Sequence, residues 1–203
     1  GSLLLYKPII NKLKSKYTII ICQLPDKILD QNIKNTLKYF NKAKRKIIKT
    51  MNYLEKNGCR SFSILGVSLS GCLVFMVANS DKRFKKIIVN LLGSDLAKCF
   101  CESVSLEVMS IKKKIEKRNI SFEKLANTWK SVSPINNINN LNQNQKILIQ
   151  LSENDRIIPY KYGLEILNAM KKRKIGMEIT INKTFGHYIC LATQLLFPNR
   201  RLK

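Results

Sequence analysis

Short runs of apolar, β-branched residues alternate along this chain with longer stretches in which apolar residues recur every three to four positions. The short runs are typical of buried strands and lie at residues 17–23, 61–65, 86–92, 146–151 and 177–181. The helical stretches follow Asp30, cover residues 69–78, open at Pro159 and recur at residues 188–196. Because strands that alternate with helices pair in parallel, the pattern predicts an α/β fold: a mostly parallel sheet with helices on both faces.

The alternation stops between residues 94 and 133. This part contains amphipathic helices, among them residues 104–116 and Phe122–Trp129, and no strand pattern. We therefore predict a helical lid insertion at residues 94–133 between two parts of one core, residues 1–93 and 134–203. A chain of 203 residues is long enough to form a single domain around one hydrophobic core.

Residues 61–80 carry no charge, and this length would span a bilayer. The stretch nevertheless contains five serines, two glycines and Asn79, and its β-prone first part differs from its helical second part. A strand, a sharp turn and a buried helix explain it better than a membrane span does.

Composition places the chain among globular proteins, since 45% of its residues are hydrophobic and 25% are charged. Its 37 basic and 13 acidic residues give a formal net charge of +24, which is typical of proteins with an anionic partner. The densest basic runs, residues 42–49, 112–118 and 171–174, fit solvated helix faces. The excess of lysine over arginine also fits AT-rich coding, which we favour as its cause. An anionic membrane surface remains a candidate partner, whereas nucleic acid is not expected because no recognition motif accompanies the charge.

The six cysteines show neither a CxxC pair nor a histidine spacing suited to zinc. Four of them lie inside apolar runs, where a reduced cysteine packs as a small hydrophobic residue. These features favour reduced thiols and a cytoplasmic location, with no metal and no cofactor. No signal peptide is visible, and the chain opens with Gly1 and Ser2 rather than Met, which is typical of a processed or cloned start.

Three loops at the carboxyl ends of predicted strands carry the candidate chemistry, because ligands of open parallel sheets bind at this edge. Ser68 follows the second predicted strand, Asp155 the fourth and His187 the fifth. A serine hydroxyl becomes nucleophilic when a histidine accepts its proton, and a carboxylate on the far ring nitrogen fixes the histidine tautomer. His187 is the only histidine of the chain. For the acid we prefer Asp155 because of its flanking residues. Glu153 and Asp95 are alternatives, and Asp95 is the stronger rival because some triads of this kind take their acid from the end of the third predicted strand.

The segment GVSLSG around Ser68 fits the pattern G-x-S-x-G of a nucleophile elbow, a strained turn between a strand and a helix. Small residues two positions before and after the serine let the chain reverse sharply and expose the hydroxyl. Gly66 meets the first requirement. Ser70, which is small but not glycine, stands at the second, and Gly71 follows one position later.

These motifs resemble those of the α/β-hydrolase superfamily, from about residue 17 onwards. The resemblance rests on ILGVSLSG, on KILIQLSENDRIIP and on FGH, in the order Ser, Asp, His. Trp129 followed by Ser133 and Pro134 is similar to the return from lid to core in esterase-like members.

The resemblance implies a nucleophile at Ser68, an orienting acid at Asp155, a general base at His187 and an oxyanion donor in the backbone N–H of Leu69. The sequence departs from the family pattern at Ser70. Members also have further strands before the one predicted at residues 17–23, and a loop that supplies a second oxyanion donor. We expect residues 1–4 to be the remnant of that loop, in a chain that is N-terminally truncated or degenerate.

From the sequence we expect a serine hydrolase that cleaves a small-molecule carboxylic ester or thioester through an acyl-enzyme. Apolar residues of the insertion suggest an acyl-binding cleft or ordinary helix packing: Phe100, Val104, Leu106, Met109 and Trp129. Two alternatives stay open. One is an α/β-hydrolase-like binding protein that has lost catalysis, and the other is a basic protein associated with membrane surfaces or nucleic acid.

Overall fold

The computed structural model describes residues 7–25, 27–141 and 144–196. Four parallel strands form one sheet in the order β1-β2-β3-β4: β1 (Phe62–Val67), β2 (Phe84–Asn90), β3 (Lys146–Ser152) and β4 (Met177–Asn182). The helices of the described residues are α1 (Lys7–Leu13), α2 (Ile33–Lys56), α3 (Ser70–Ser80), α4 (Leu96–Glu102), α5 (Leu106–Glu116), α6 (Phe122–Trp129), α7 (Tyr160–Lys172) and α8 (His187–Leu196). Two short 3₁₀ turns, Lys130–Val132 and Pro134–Asn136, lead from α6 back to the sheet.

Helices cover both faces of the sheet. Leu151 faces α7, because a Cβ added to Gly163 of that helix would lie 2.7 Å from a Leu151 methyl carbon. The preceding residue, Gln150, donates to Cys190 Sγ of α8. Successive side chains of a strand point to opposite faces. The helices α7 and α8 therefore pack on opposite sides, which confirms the predicted α/β architecture.

The carboxyl ends of the four strands lie in one row. Val67 pairs with Asn90, Asn90 with Gln150, and Gln150 with Thr180. Backbone hydrogen bonds continue past the strand ends, from Ser68 N to Asn90 O (2.8 Å) and from Glu153 N to Asn182 O (2.9 Å). The loops that follow β1, β3 and β4 thus leave the sheet at the same edge.

The uncharged stretch of residues 61–80 forms β1, a tight turn and α3. Eight consecutive residues of α3, from Gly71 to Ala78, are buried, which explains the absence of charge. A Cβ on Gly71 would lie 2.8 Å from side-chain atoms of both Val89 and Leu92. The helix therefore packs directly on β2 and its end. Within the described residues, no helix is long and apolar enough to cross a membrane.

The basic run at residues 42–49 lies on α2, where its charged side chains stand mostly on the exposed face. The opposite face buries Phe40, Ala43 and Met51. The helix begins at Ile33, and Asn32 rather than Asp30 caps it, since the Asn32 side chain accepts from Lys34 N at 3.2 Å. Asp30 in turn accepts from Asn32 N at 2.7 Å and so fixes the cap.

The predicted strand at residues 17–23 is wrong. In the structure this segment has no strand, and Tyr17, Ile20 and Ile21 are each about half exposed. Its β-branched residues fit a pleated surface, but a strand forms only where a neighbouring strand accepts its hydrogen bonds. Among the described residues, β1 is an edge strand with no partner on its outer side. The sequence pattern also does not predict α1, and the expected loop remnant at residues 1–4 lies outside the described residues.

Residues 94–133 are helical, as the sequence indicates, and their apolar side chains fall into two groups. Phe100 and Trp129 are buried and meet edge to face, with ring centroids 5.2 Å apart, and Trp129 Nε1 donates to Ile33 O. These two residues are helix-packing residues. Val104, Leu106 and Met109 are exposed, Leu106 by 84%. The role of residues 94–133 as a lid stays a prediction.

Candidate active site

Ser68 lies in a strained turn between β1 and α3. Its φ is +54°, in the left-handed region that residues with a Cβ rarely adopt. A Cβ on Gly66 would lie 2.5 Å from a Val74 methyl carbon and 2.9 Å from Ser70 O, so glycine is required there. The geometry of the turn is that of a nucleophile elbow, which lifts the Ser68 side chain to the edge of the sheet.

Ser70 closes this turn through its own side chain. Its hydroxyl donates to Val67 O and accepts from Val67 N, both at 2.7 Å. The two bonds join the last residue of β1 to the first residue of α3 across the turn. The departure from glycine at this position therefore adds two hydrogen bonds to the elbow.

The backbone N–H of Leu69 stands at the N-terminus of α3. Within the described residues this N–H has no acceptor, although Gly71 N and Cys72 N bond back to Ser68 O and Leu69 O. Unpaired N–H groups at a helix N-terminus favour negative charge. The Leu69 N–H is available to an anion beside Ser68, as the oxyanion prediction requires, and its role in catalysis stays a prediction.

Asp155 and His187 form a buried pair. Asp155 Oδ2 lies 2.6 Å from His187 Nδ1, and both residues are less than a tenth exposed. The other carboxylate oxygen, Oδ1, accepts from Ile157 N (2.9 Å) and Ile158 N (2.8 Å). With its proton on Nδ1, the imidazole donates to the carboxylate and leaves Nε2 free to accept a proton.

The structure gives Asp95 a different environment. Asp95 is the N-cap of α4, and its side chain accepts from Lys98 N at 3.0 Å. Glu153 is exposed. Of the three candidate acids, only Asp155 contacts His187 in the part of the chain that the structure describes. Ser68 and His187 are not joined by a hydrogen bond among these residues. Such bonds are often long in enzymes without bound substrate.

Cys72 lies one turn beyond the elbow and is the nearest thiol along the chain. Burial, with a further contribution from the negative charge of Asp95, raises its pKa to about 12. The thiolate is the reactive form of cysteine. The buried Cys72 thiol is therefore not activated as a nucleophile. All six cysteines are free.

The sequence matches the model of the prolyl oligopeptidase family over residues 25–194. The chain belongs to the prolyl oligopeptidase family. No curated protein sequence matches it. Membership confirms the resemblance to α/β hydrolases, and the solved structures to which the chain is similar include acylaminoacyl peptidases and a puromycin hydrolase.

Three of these structures illustrate the similarity. An acylaminoacyl peptidase in complex with Z-Gly-Gly-Phe-chloromethyl ketone has a TM-score of 0.60 and 19% identity, covering 79% of this chain and 25% of that one. The Pyrococcus horikoshii acylaminoacyl peptidase has a TM-score of 0.58 and 20% identity, covering 74% and 23%. A puromycin hydrolase has a TM-score of 0.51 and 15% identity, covering 66% and 20%. The chain thus spans about a quarter of the length of these proteins or less.

The sequence patterns do not identify two polar residues at this site, Ser152 and Asn154. Ser152 Oγ donates to Phe185 O, and Asn154 Nδ2 donates to Lys183 O at 2.8 Å. Both bonds join the loop of Asp155 to the loop of His187. No sequence signal identifies them, because the partners lie about 30 residues apart and are backbone carbonyls, whose positions depend on the fold.

Proposed function

We propose that this chain carries the catalytic centre of a serine peptidase, which cleaves a peptide amide bond through an acyl-enzyme. The observation that carries the proposal is the buried 2.6 Å pair of Asp155 and His187 at the same sheet edge as the Ser68 elbow. Family membership favours a peptide substrate over the small-molecule ester or thioester that the sequence alone suggested, since the similar structures include acylaminoacyl peptidases.

The chemistry assigns one role to each residue. Ser68 Oγ attacks the carbonyl carbon of the scissile bond while its proton passes to His187 Nε2, and the carbonyl oxygen becomes an oxyanion near Leu69 N. His187 then gives that proton to the leaving nitrogen, the C–N bond breaks, and the amine departs. Water hydrolyses the Ser68 ester by the same steps in the second half of the reaction.

An active-site label tests the nucleophile without knowledge of the substrate. A fluorophosphonate phosphonylates an activated serine, so incubation of the whole chain followed by peptide mapping should find the label on Ser68. Ser68→Ala should abolish it. Cleavage of matched peptide p-nitroanilides and peptide esters then separates the two substrate classes. Turnover of esters alone would overturn the peptidase assignment, and an unlabelled, folded chain would instead indicate a binding protein of this fold.

The matched variants Asp155→Asn and Asp95→Asn test the acid in the same assays. Asp155→Asn should lower kcat by about 10³- to 10⁴-fold, because an amide cannot hold the imidazole in the required tautomer. Asp95→Asn should keep most of the activity, since an asparagine side chain can still accept from Lys98 N and cap α4. The reverse result would make Asp95 the acid.

A further inference from the structure

We call residues 153–159 the acid loop and residues 183–186 the base loop. Two side chains, one from the acid loop and one from the end of β3, bind the backbone of the base loop. Asn154 Nδ2 donates to Lys183 O at 2.8 Å and to Thr184 O at 3.3 Å. Ser152 Oγ donates to Phe185 O. Three consecutive carbonyls of the base loop, directly ahead of Gly186 and His187, thus have their donors on the segment that carries Asp155.

Two N–H groups of the base loop are bonded within the loop's own turn. Asn182 Oδ1 accepts from Thr184 N at 2.9 Å and from Phe185 N at 2.8 Å, so the chain curls around this side chain. A Cβ on Gly186 would lie 3.3 Å from Asn154 O, which shows how closely the two loops approach.

The acid does not depend on this contact for its own orientation. Asp155 Oδ1 is held by Ile157 N and Ile158 N, both within the acid loop. His187, which bonds to Asp155, stands at the first position of α8 and directly after the base loop, so its place also depends on where that loop lies. The bonds from Asn154 and Ser152 join that loop to the segment that carries Asp155.

We infer that Asn154 is a positioning residue, which sets the place of His187 relative to Asp155 by holding the base loop through the carbonyls of Lys183 and Thr184. Asn154 is exposed whereas Ser152 is buried. Removal of the Asn154 amide therefore leaves the hydrophobic core intact, and its effect is separable from folding. The inference rests on the proposed hydrolase function, in which His187 must lie within hydrogen-bonding reach of Ser68 in the reacting complex.

The test replaces the amide in two ways. Asn154→Ala removes both donors, and Asn154→Asp keeps the shape but turns carboxylate oxygens towards the two carbonyl oxygens. Each variant should lower kcat about 10- to 100-fold with KM nearly unchanged, because small displacements of a catalytic group cost this much in rate. Asn127→Ala is the matched control, since Asn127 is an exposed asparagine on α6 whose side chain makes no hydrogen bond within the described residues.

A second readout does not require activity. His187 is the only histidine, so the downfield proton NMR signal of a hydrogen-bonded imidazole N–H has a single source. This signal should be sharp in wild type and in Asn127→Ala, and broadened or lost in both Asn154 variants, with melting temperatures within a few degrees of wild type. If wild type is inactive, the proposed function fails, and the signal still decides the role of Asn154.

Two outcomes would overturn the inference. One is an unchanged kcat together with an unchanged His187 signal in Asn154→Ala. The other is a loss of activity that simply follows a large fall in melting temperature, because that would make Asn154 a structural residue rather than a positioning one.

Discussion

At the scale of single residues, the elbow has a strained backbone at Ser68 and neighbouring residues that stabilise it. Ser68 adopts a left-handed φ of +54°, which costs about 1–2 kcal/mol for a residue with a Cβ. Gly66 removes a clash, and the Ser70 hydroxyl bonds twice to Val67. The fold can therefore keep Ser68 in this conformation at the sheet edge without help from a ligand.

Ser70 provides a direct test of this view. Ser70→Gly restores the family pattern but removes both bonds to Val67, so we expect a loss of about 1–2 kcal/mol in the free energy of unfolding and slower fluorophosphonate labelling of Ser68. Urea unfolding and labelling rates measure the two effects. Ser80→Ala is the matched control, because it removes a hydroxyl that bonds to Met76 O at the far end of α3. It should lower stability without slowing the labelling.

A Ser70→Gly variant that labels as fast as wild type would show that the hydroxyl does not hold the elbow.

The same residues show what sequence can and cannot indicate at this scale. The spacing of Gly66, Ser68 and Ser70 predicts the elbow because the requirement for small residues is local. The bonds of Ser70 and the contact of Asn154 with the base loop are not visible in the sequence. They depend on where backbone groups meet in three dimensions, and any small polar residue satisfies the pattern.

At the scale of elements, the central strands β2 and β3 were predictable because they are mostly buried in a parallel sheet and appear as apolar runs. The edge strands β1 and β4 are only partly buried, and their β-branched and aromatic residues indicated them. The run at residues 17–23 has the same composition and forms no strand. The difference is pairing, since β-branched residues fit a pleated surface and carry no information about whether a neighbour exists. The order of the strands likewise follows from connections that no local pattern encodes.

Arg83 is the residue through which several elements are joined. Its guanidinium binds Asp81 at the end of α3 (2.6 Å), Glu55 of α2 (2.7 Å) and Asn52 of the same helix (2.7 Å). It also lies 5.8 Å from the centroid of the Phe62 ring of β1. Hydrogen bonds and charge from Arg83 lower the pKa of Asp81.

The lowered pKa predicts a pH-dependent contribution to stability. A carboxylate whose pKa is lower in the folded chain stabilises it above the unfolded pKa of about 3.9, and the effect is lost as pH falls through the folded value. Arg83→Met should therefore cost about 1–2 kcal/mol at pH 7, and less as the pH approaches 3. Urea unfolding at several pH values measures this. Arg60→Met, at an exposed arginine, should show no such trend, and a pH-independent cost in Arg83→Met would contradict the prediction.

At the scale of the whole molecule, the candidate site forms where three loops leave the same edge of the sheet. The elbow leaves β1, the acid loop leaves β3 and the base loop leaves β4, so the three candidate residues come from positions between 68 and 187 in the chain. A parallel sheet brings such positions together because the carboxyl ends of its strands lie at one edge. This is why the order Ser, Asp, His and the alternation of elements predict the site better than any single motif does.

The net charge of +24 is the other property of the whole molecule. Exposed lysines lie on α2, on α5 and its C-cap, and at the end of α7, among them Lys42, Lys46, Lys113 and Lys117. Charge spread in this way attracts any polyanion without forming one site.

We therefore expect the chain to bind duplex DNA and anionic vesicles at low ionic strength and only weakly at about 0.15 M salt, where exposed charges are screened beyond about 8 Å. Binding isotherms across a salt series measure this. Replacement of Lys42, Lys46 and Lys49 by glutamine should weaken binding by about the same factor as replacement of Lys113, Lys114 and Lys117. If one triple variant abolished binding at physiological salt while the other left it intact, the charge would belong to a dedicated surface, and coding bias would not be its cause.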